Sequence, residues 1–533
     1  MLNITPYPKE AIEKEGFFTL GEKPKVKSDF DLPLIAPFVD FRDEADIVIS
    51  KDESLAKEGY TLAVNPDEIK ISASTKTGAY YALQTIRKMT GFDLGKREVP
   101  CCEISDEPYF AWRGINIDES RHFFGAEQLK RTLDYMFEEK LNVLHWHLTD
   151  DHGWRIEIKK YPLLTEIGSK REYTHIGGWK SFKCEHKPYS GFYNQKQIKE
   201  LIEYARERGI MIVPEIDFPA HCLSAMAAYP YLSCFEEKQE VIGYFSWDYP
   251  KYKSLNFRAN KTLCLGKEEV YDFVFSVLDE VCTLFDSDYI HIGGDEAPHS
   301  EWQRCEKCQR VIKDQGLADE TELQGYFENR VFAYLKEKQK TPIGWNEIAS
   351  AKNLDTNDKK AVIQYWTRKR DKNAESYVNS GGSMILSNHQ SFYFDMPYGM
   401  TPIDKTYNYD PADYGVNSAN LSNVLGVEGE FWSEWIPDRK KLEMLFFPRL
   451  QALSEVAWLP KEKRDLDSFK KRFDSQKAVL ESRGLNYAGD EIAYAKDMKK
   501  SARIVYKFTH GNPCLEVELN DKYKSKGENQ NEF

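Results

Sequence analysis

The chain has 533 residues, of which 41% are hydrophobic and 14% aromatic, and its formal net charge is -13. This composition suffices for a large core and for two or three domains. The negative charge argues against nucleic acid and anionic membranes as partners, and no apolar run approaches the length of a membrane span. The first residues carry no basic-then-apolar leader pattern, so we expect a cytoplasmic protein, with secretion after removal of a leader as the alternative.

Ten cysteines are scattered along the chain, without the dense spacing of small secreted proteins. Cys305 and Cys308 form a CxxC motif, and a zinc site of this type needs two further ligands, usually at a similar spacing. The sequence contains no second pair of this kind. We therefore expect ordinary thiols or one local disulfide, and neither a metal site nor another cofactor.

Residues 1–105 are predicted to form a small α+β domain. The stretch YTLAVNPDEIKISAS alternates apolar and polar residues on both sides of the Asn-Pro-Asp turn at 65–67, which is typical of a β-hairpin. The stretch GAYYALQTIRKM (78–89) follows with helical spacing of its apolar residues. The segment at 99–110 contains two prolines and little periodicity, so we place the domain boundary there.

Eight short apolar segments follow, separated by helical segments or long loops. The predicted strands span residues 114–118, 142–149, 210–217, 289–296, 341–347, 361–366, 383–389 and 424–432. The predicted helices include residues 126–140, 194–209, 267–285, 320–339 and 438–458. Eight βα units in about 350 residues predict a (β/α)8 TIM barrel over residues 106–487. No GxGxxG motif follows a strand, which argues against a dinucleotide-binding fold.

Residues 488–533 are expected to form a C-terminal extension. Two pieces resemble strands, ARIVYKF (502–508) and CLEVEL (514–519). The polar stretch from residue 520 to the end lacks periodicity and is predicted to be disordered.

Polar and aromatic residues follow the predicted strands at their carboxyl ends, where a TIM barrel carries its working residues. In chain order they are Asp118, Arg121, His147, Asp150, Asp217, His221, Asp295, Glu296, Trp345, Glu347, Trp366, His389, Tyr393, Asp395, Trp432 and Glu434. Each one alone has a structural interpretation, such as a capping aspartate or a core tryptophan. Taken together they favour a functional site, because eight unrelated loops would otherwise place such groups at one end by accident.

Carbohydrate chemistry suits this mixture of residues. Sugar C–H faces lie on tryptophan, and sugar hydroxyls bond to carboxylates and arginine. Glycosidic cleavage needs a protonated acid beside the leaving oxygen, and a second acid nearby raises the pKa of the first. Asp295 and Glu296 supply such a pair. Neighbours on a strand point to opposite faces, so both acids reach one sugar only if the strand ends at Gly293-Gly294.

Several blocks resemble, in order, those of the β-N-acetylhexosaminidases of glycoside hydrolase family 20. They are DESRHFF (118–124), LHWHLTDDHGWRIEI (144–158), VPEIDFPAH (213–221), HIGGDE (291–296), GWNE (344–347), QYW (364–366), FYFDMPY (392–398) and FWSEW (431–435). The resemblance covers roughly residues 5–485 and includes a small α/β domain before the barrel. Two departures are Ala220 and His152, where the family often has Gly and Gln.

The resemblance implies an exo-acting, retaining glycosidase that releases terminal β-linked N-acetylhexosamine from an oligosaccharide or glycoconjugate. It implies that Glu296 is the general acid/base, that Asp295 orients the substrate's acetamido group, and that Tyr393 bonds to the acetamido carbonyl. The other residues implied at the sugar are Arg121, Asp150, His221, Trp345, Trp366, Asp395, Trp432 and Glu434. In this substrate-assisted scheme the acetamido oxygen is the nucleophile, an oxazolinium ion forms, and no cofactor takes part.

Three alternatives stay open from the sequence. A two-carboxylate glycosidase, retaining or inverting, would not require the acetamido group. A metal-dependent hydrolase would use His145, His147, Asp150 and His152 of HWHLTDDH. A sugar-binding protein would have no activity. Monomer and homodimer are equally open as oligomeric states.

Overall fold

The structure, a computed structural model, describes residues 2–245, 261–354 and 361–528 of the chain. An N-terminal sheet of seven strands precedes a closed barrel of eight. In spatial order the strands of the sheet are Glu10–Thr19, Glu98–Asp106, Tyr60–Val64, Ile69–Ala73, Ile47–Lys51, Lys25–Ser28 and Asp40–Phe41. None of the helices within these ranges is long and apolar enough to cross a membrane.

The predicted hairpin and helix of this domain are confirmed. Tyr60–Val64 pairs antiparallel with Ile69–Ala73. Helix Lys76–Thr90 begins at Thr75, whose side chain accepts a backbone hydrogen bond from the first turn. The helix ends at Gly91, which adopts the left-handed conformation at φ 65° that favours glycine.

Eight parallel strands close the barrel, and each corresponds to a predicted strand. They are Trp112–Asp118, Val143–His147, Met211–Phe218, Tyr289–Gly293, Thr341–Trp345, Val362–Tyr365, Ser383–Leu386 and Val424–Phe431. The second, fourth, fifth and seventh strands end two or three residues before the predicted boundary. The structure thus confirms a (β/α)8 barrel preceded by a small α+β domain.

The five predicted helices are present, but the last is divided. The helices around the barrel include Ala126–Glu138, Gln195–Glu207, Glu268–Leu284, Glu306–Gln315, Glu320–Glu337, Lys372–Asn379, Arg439–Phe446 and Arg449–Trp458. A single helix over 438–458 is therefore wrong. The chain breaks before Pro448, because proline lacks the N–H that would continue the helix. Helix Leu466–Ser482 follows the barrel.

The strand prediction for the C-terminal extension is also wrong. ARIVYKF lies in helix Met498–His510, and CLEVEL lies largely in helix Leu515–Glu528. Ile504 and Phe508 are one helical turn apart and both are buried, so tertiary packing overrides the strand preference of β-branched and aromatic residues. The tail predicted to be disordered begins within the second helix, and residues 529–533 lie outside the described part of the chain.

The barrel interior changes from apolar to polar along its axis. Its amino-terminal layer consists of Trp112, Val143, Val213, Ile343, Val362 and Ile385. Side chains two residues apart on a strand point to the same face, so the next layer of the interior lies two residues further along. Its positions are Gly114, His145, Glu215, Trp345, Gln364 and Ser387. A Cβ at Gly114 would lie 2.4 Å from Glu428 Oε2, so only glycine admits that carboxylate. The polar layer leads toward the carboxyl end of the barrel.

Buried ionic contacts join the N-terminal domain to the barrel. The Arg113 guanidinium is fully buried and donates to both carboxylate oxygens of Glu58, at 2.6 and 3.1 Å. Lys140 Nζ lies 3.2 Å from Asp106 Oδ2. Asp106 also accepts a hydrogen bond of 2.7 Å from the indole of Trp458. Each pair spans the two domains, so docking of the domains satisfies charges that either domain alone would leave unpaired.

We expect Glu58→Gln to lower the free energy of unfolding by about 3 kcal/mol, since it leaves a buried arginine without its counter-charge. Urea denaturation measures the change. The matched control is Glu53→Gln, whose partner Lys51 is half-exposed, and it should cost less than about 1 kcal/mol. Equal losses in the two variants would contradict a stabilising role for the interdomain pair.

Candidate active site

A cavity with about 750 Å³ of empty space lies at the carboxyl end of the barrel. It is lined by all eleven residues that the sequence places at the substrate: Arg121, Asp150, His221, Asp295, Glu296, Trp345, Trp366, Tyr393, Asp395, Trp432 and Glu434. Further residues line it that the sequence does not assign to the substrate: His147, Trp179, Asp217, His389, Met396 and Trp435. The barrel therefore gathers groups from distant parts of the chain into one space.

Asp295 and Glu296 follow the fourth barrel strand, which ends at Gly293 as the two glycines predict. Gly293 and Gly294 have φ values of 73° and 94°, which glycine adopts without strain. A Cβ at Gly293 would lie 1.7 Å from Asp217 Oδ1. Glu296 itself has a φ of 49°, which is uncommon for a residue with a side chain. The turn places both carboxylates on the same cavity.

His221 links the two acids to the rest of the site. Its Nε2 lies 3.7 Å from Asp295 Oδ2 and 3.7 Å from Glu296 Oε2, and its Nδ1 lies 3.5 Å from Asp150 Oδ1. Burial disfavours a charged imidazole, but Asp150, Asp217 and Asp295 outweigh it and hold the pKa of His221 well above its usual value. His221 is therefore a buried cation among carboxylates.

The two neighbouring acids both have raised pKa values. Burial raises the pKa of Glu296 to about 7, with His221 opposing the rise and Asp295 adding to it. Burial also raises the pKa of Asp295, again against the effect of His221. A carboxyl group that titrates near neutral pH can both donate and accept a proton during a reaction, which suits a general acid/base.

Arg121 is a further cation of the cavity. Its Nη2 lies 2.7 Å from Asp150 Oδ2 and 4.0 Å from Glu434 Oε1, and its Nη1 lies 3.2 Å from Asp118 Oδ2. Asp118 also accepts a hydrogen bond of 2.9 Å from the N–H of Ser433, which fixes its orientation. Burial disfavours the Asp150 carboxylate, but Arg121 outweighs it and holds the pKa of Asp150 well below the usual range. Asp150 is thus ionised.

Aromatic rings form one wall of the cavity. The ring centroids of Trp345 and Trp432 lie 5.7 Å apart, and Trp366 stacks with Tyr393 at 6.1 Å. The indole N–H of Trp366 donates a hydrogen bond of 2.8 Å to Glu347. Fixed apolar faces of this kind suit the C–H surface of a sugar ring.

One side of the cavity is closed by residues from outside the barrel strands. Trp179 comes from the long segment after the second strand. Its backbone N–H donates a hydrogen bond of 3.3 Å to the backbone carbonyl of Phe508. Phe508 belongs to the helix Met498–His510 and packs edge-on against Trp435 at 6.3 Å. The sequence does not predict Trp179 as a site residue, because it follows no strand directly and only its aromatic character marks it.

The histidines of HWHLTDDH bond to protein carboxylates. His145 lies 2.7 Å from Glu428 and 3.1 Å from Glu215. His147 hydrogen-bonds to Glu215 and lies 3.0 Å from Asp150. These contacts hold the polar layer of the barrel together, and so give both histidines a structural role that needs no metal ion.

Family models match most of the chain. Residues 110–461 match "Glycosyl hydrolase family 20, catalytic domain", and residues 39–107 match "Glycosyl hydrolase family 20, domain 2". The chain belongs to glycosyl hydrolase family 20. This family 20 member is a glycoside hydrolase of the β-N-acetylhexosaminidase type, as the resemblance of its sequence blocks implies.

Individual proteins agree with the family assignment. The β-hexosaminidase of Porphyromonas gingivalis is 32% identical, and the match covers 96% of this chain and 70% of that protein. The β-hexosaminidase of Akkermansia muciniphila is 30% identical over 84% of this chain and 89% of its own length. The solved structure of the Bacteroides fragilis β-N-acetylhexosaminidase superposes with a TM-score of 0.78 at 30% identity, covering 95% of this chain and 99% of that one.

A solved structure with a bound sugar is also similar. The exo β-N-acetylglucosaminidase of Vibrio harveyi, in complex with N-acetylglucosamine, superposes with a TM-score of 0.79 at 29% identity. The superposition covers 92% of this chain and 78% of that one. The family 20 fold of this chain is therefore shared with an enzyme whose structure holds N-acetylglucosamine.

We expect Gly293→Ala to damage the site through the backbone. The new methyl group would overlap Asp217 Oδ1, and a shift of about 1 Å in the following acids would lower kcat/KM about 10²-fold. The control is Gly484→Ala, which has a similar φ of 64° and nothing within 4 Å of its Cβ. The control should lower the free energy of unfolding by only about 1–2 kcal/mol, which is the cost of placing alanine in the left-handed conformation. Kinetics with normal kcat/KM in Gly293→Ala would show that the turn does not position the acids.

Proposed function

We propose that Glu296 and Asp295 perform substrate-assisted hydrolysis of terminal β-linked N-acetylhexosamine, with Glu296 as acid/base and Asp295 as the residue that orients the acetamido group. The observation that carries this proposal is the pair itself. Burial raises the pKa of Glu296 to about 7. Its neighbour Asp295 has a buried Oδ1 without a hydrogen-bond partner among the described residues. A buried, unbonded carboxylate oxygen is costly, and an amide N–H of the substrate would satisfy it.

In the first step, Glu296 donates its proton to the glycosidic oxygen while the acetamido carbonyl oxygen attacks C1. The bond from C1 to the leaving oxygen breaks, and a cyclic oxazolinium ion forms. Asp295 accepts a hydrogen bond from the acetamido N–H, and its negative charge stabilises the positive charge that develops there. The hydroxyl of Tyr393 donates a hydrogen bond to the acetamido oxygen. Burial, with Glu430 adding to it, raises the pKa of Tyr393 well above its usual value and keeps this donor protonated.

In the second step, Glu296 acts as base. It takes a proton from water, the water oxygen attacks C1, and the bond to the acetamido oxygen breaks. Two displacements at C1 retain its configuration. His221 lies 3.7 Å from both acids, so its positive charge stabilises whichever of them is ionised at each stage.

The remaining polar residues suit the hydroxyl groups of a single sugar. The Arg121 guanidinium lies 2.7 Å from Asp150 and 4.0 Å from Glu434, so these three residues form one group. Asp395 has a buried Oδ1 without a partner among the described residues. Trp179 and Trp435 lie at the edge of the same cavity, backed by the C-terminal helix. A second sugar beyond this group would have to displace buried charges, which supports removal of one terminal unit at a time.

A small panel of aryl glycosides tests the proposed chemistry. We expect hydrolysis of β-GlcNAc or β-GalNAc, or of both, and no comparable hydrolysis of β-Glc and β-Gal, because only the first two carry the nucleophile. Asp295→Asn should lower kcat more than it raises KM, since Asp295 acts on the charge of the transition state. Hydrolysis of β-Glc at a similar rate would favour a two-carboxylate glycosidase.

The pH dependence of kcat/KM tests the role of Glu296. The free enzyme needs this acid protonated, and its pKa is about 7. The value of kcat/KM should therefore fall as the pH rises through about 7, and this fall is the basic limb of the pH profile. Glu296→Gln should lose about 10²–10⁴-fold in activity on a disaccharide, and its residual rate should lack this limb. His221→Gln removes a charge that lowers the pKa of Glu296, so the limb should move to higher pH. The same limb in Glu296→Gln would assign it to another group.

A time course on a chitin tetramer labelled at its reducing end tests exo-action. We expect labelled trimer first, then labelled dimer, with free monosaccharide throughout. Arg121→Ala should lower kcat/KM by roughly tenfold to more than a hundredfold, because each charge-assisted hydrogen bond to a neutral sugar contributes about 1.5–3 kcal/mol. Early labelled dimer without trimer, together with unlabelled dimer, would mean an open cleft.

A further inference from the structure

Four cysteines from separate parts of the chain meet beside the active-site loops. Cys234 and Cys264 lie between the third barrel strand and the helix Glu268–Leu284. Cys305 and Cys308 lie at the start of the helix Glu306–Gln315, which follows the fourth strand. All four sulfur atoms lie within 4.8 Å of one another. The CxxC motif of the sequence therefore does have two partners in space.

The sulfur separations match the edges of a metal tetrahedron. Cys234 and Cys308 are 3.9 Å apart, and Cys264 is 3.8 Å from both Cys305 and Cys308. A disulfide needs a sulfur–sulfur distance of about 2.05 Å. Zinc–sulfur bonds of about 2.3 Å in a regular tetrahedron place the sulfurs about 3.8 Å apart. We propose that Cys234, Cys264, Cys305 and Cys308 bind one structural zinc ion as thiolates.

Backbone contacts bring together the segments that carry the four sulfurs. The N–H of Cys264 donates a hydrogen bond of 2.8 Å to the carbonyl of Leu232, two residues before Cys234. A Cβ at Gly266 would lie 2.3 Å from the backbone of Lys307, so glycine allows the Cys264 loop to approach the helix that carries Cys308. These contacts between segments are independent of the sulfur distances, and they preform the site.

The CxxC motif lies at the start of a helix. Cys305 is the residue at which the helix Glu306–Gln315 begins, and Cys308 lies in its first turn. The positive end of a helix dipole favours thiolate there. Thiolate is the form of cysteine that binds zinc.

The ligand set indicates the kind of metal and its role. Four thiolates in a tetrahedron select zinc or iron over magnesium and calcium, which prefer oxygen. Four protein ligands leave no open position for substrate or water, so the ion is structural. It would tie the loop that carries His221 to the loop that carries Asp295 and Glu296. The zinc site stands independently of the proposed function.

Metal analysis of the full-length wild-type protein is the first test. The protein is purified under reducing conditions without added metal, and the metal content is measured by inductively coupled plasma mass spectrometry. We expect one equivalent of zinc per chain, released when a mercurial reagent blocks the thiols. A chain that holds no zinc and does not take it up from a zinc buffer would overturn the assignment. One equivalent of iron would also overturn it.

Cysteine variants locate the ion. Cys234→Ser should lose the bound zinc, whereas Cys234→His should retain it, since three cysteines and one histidine form a common structural set. The control is Cys282→Ser, a partly exposed cysteine outside the cluster, which should keep one equivalent. Zinc retained in full by Cys234→Ser would place the ion elsewhere.

A third measurement covers the case in which Cys234→Ser fails to fold. Wild-type protein reconstituted with cobalt should show the strong visible absorption of tetrahedral thiolate coordination. Alkylation of the unreduced, denatured chain should label all ten cysteines. If the cysteines of the cluster resist alkylation until a reductant is added, they form disulfides and the zinc site does not exist.

Discussion

Buried cations, Arg121 and His221 among them, hold a group of carboxylates in one cavity, and the chemistry of the site depends on their charge. Carboxylates removed from water take up protons unless a positive charge compensates them. Arg121 lies 2.7 Å from Asp150 and keeps it ionised, whereas the nearest described cation to Glu296 is His221 at 3.7 Å. The same cavity thus holds one acid that is permanently charged and another that titrates near neutral pH. The difference follows from the charges around each acid, since Arg121 stabilises the Asp150 carboxylate whereas Asp295 disfavours ionisation of Glu296.

The positions of these charges depend on two unusual backbone conformations. His221 has a φ of 52° and Glu296 a φ of 49°, each just after a barrel strand ends. Non-glycine residues in this region cost of order 1–3 kcal/mol and persist where the surrounding structure enforces them. Here the enforcing elements are the strands themselves, together with Gly293, whose missing side chain leaves room for Asp217. The cysteine cluster joins the same two loops further out, so a bound zinc ion would oppose their separation.

The sequence predicts the barrel and the contents of the cavity well, because both follow from a general rule. Short apolar segments alternate with helices, and parallel strands bring their carboxyl ends together, so residues that follow strands converge. Strand ends are less predictable: Asp295 and Glu296 extend the fourth segment, and only the glycines indicate where the strand stops. Features that depend on contacts distant in sequence escape prediction. Phe508 of helix Met498–His510 packs against Trp435, and Cys234 and Cys264 are too far apart in sequence to form a recognisable pair.

The elements that the sequence predicts poorly are the ones that form one wall of the cavity. The residues that follow the carboxyl ends of the barrel strands include the two neighbouring acids and the cations Arg121 and His221. The wall made by Trp179 and Trp435 depends instead on a long segment after the second strand and on a C-terminal helix, joined through Phe508. Neither belongs to the repeating βα unit, so no periodic signal encodes them. The reacting groups therefore follow from the barrel pattern, whereas the aromatic wall of the cavity depends on packing around the barrel.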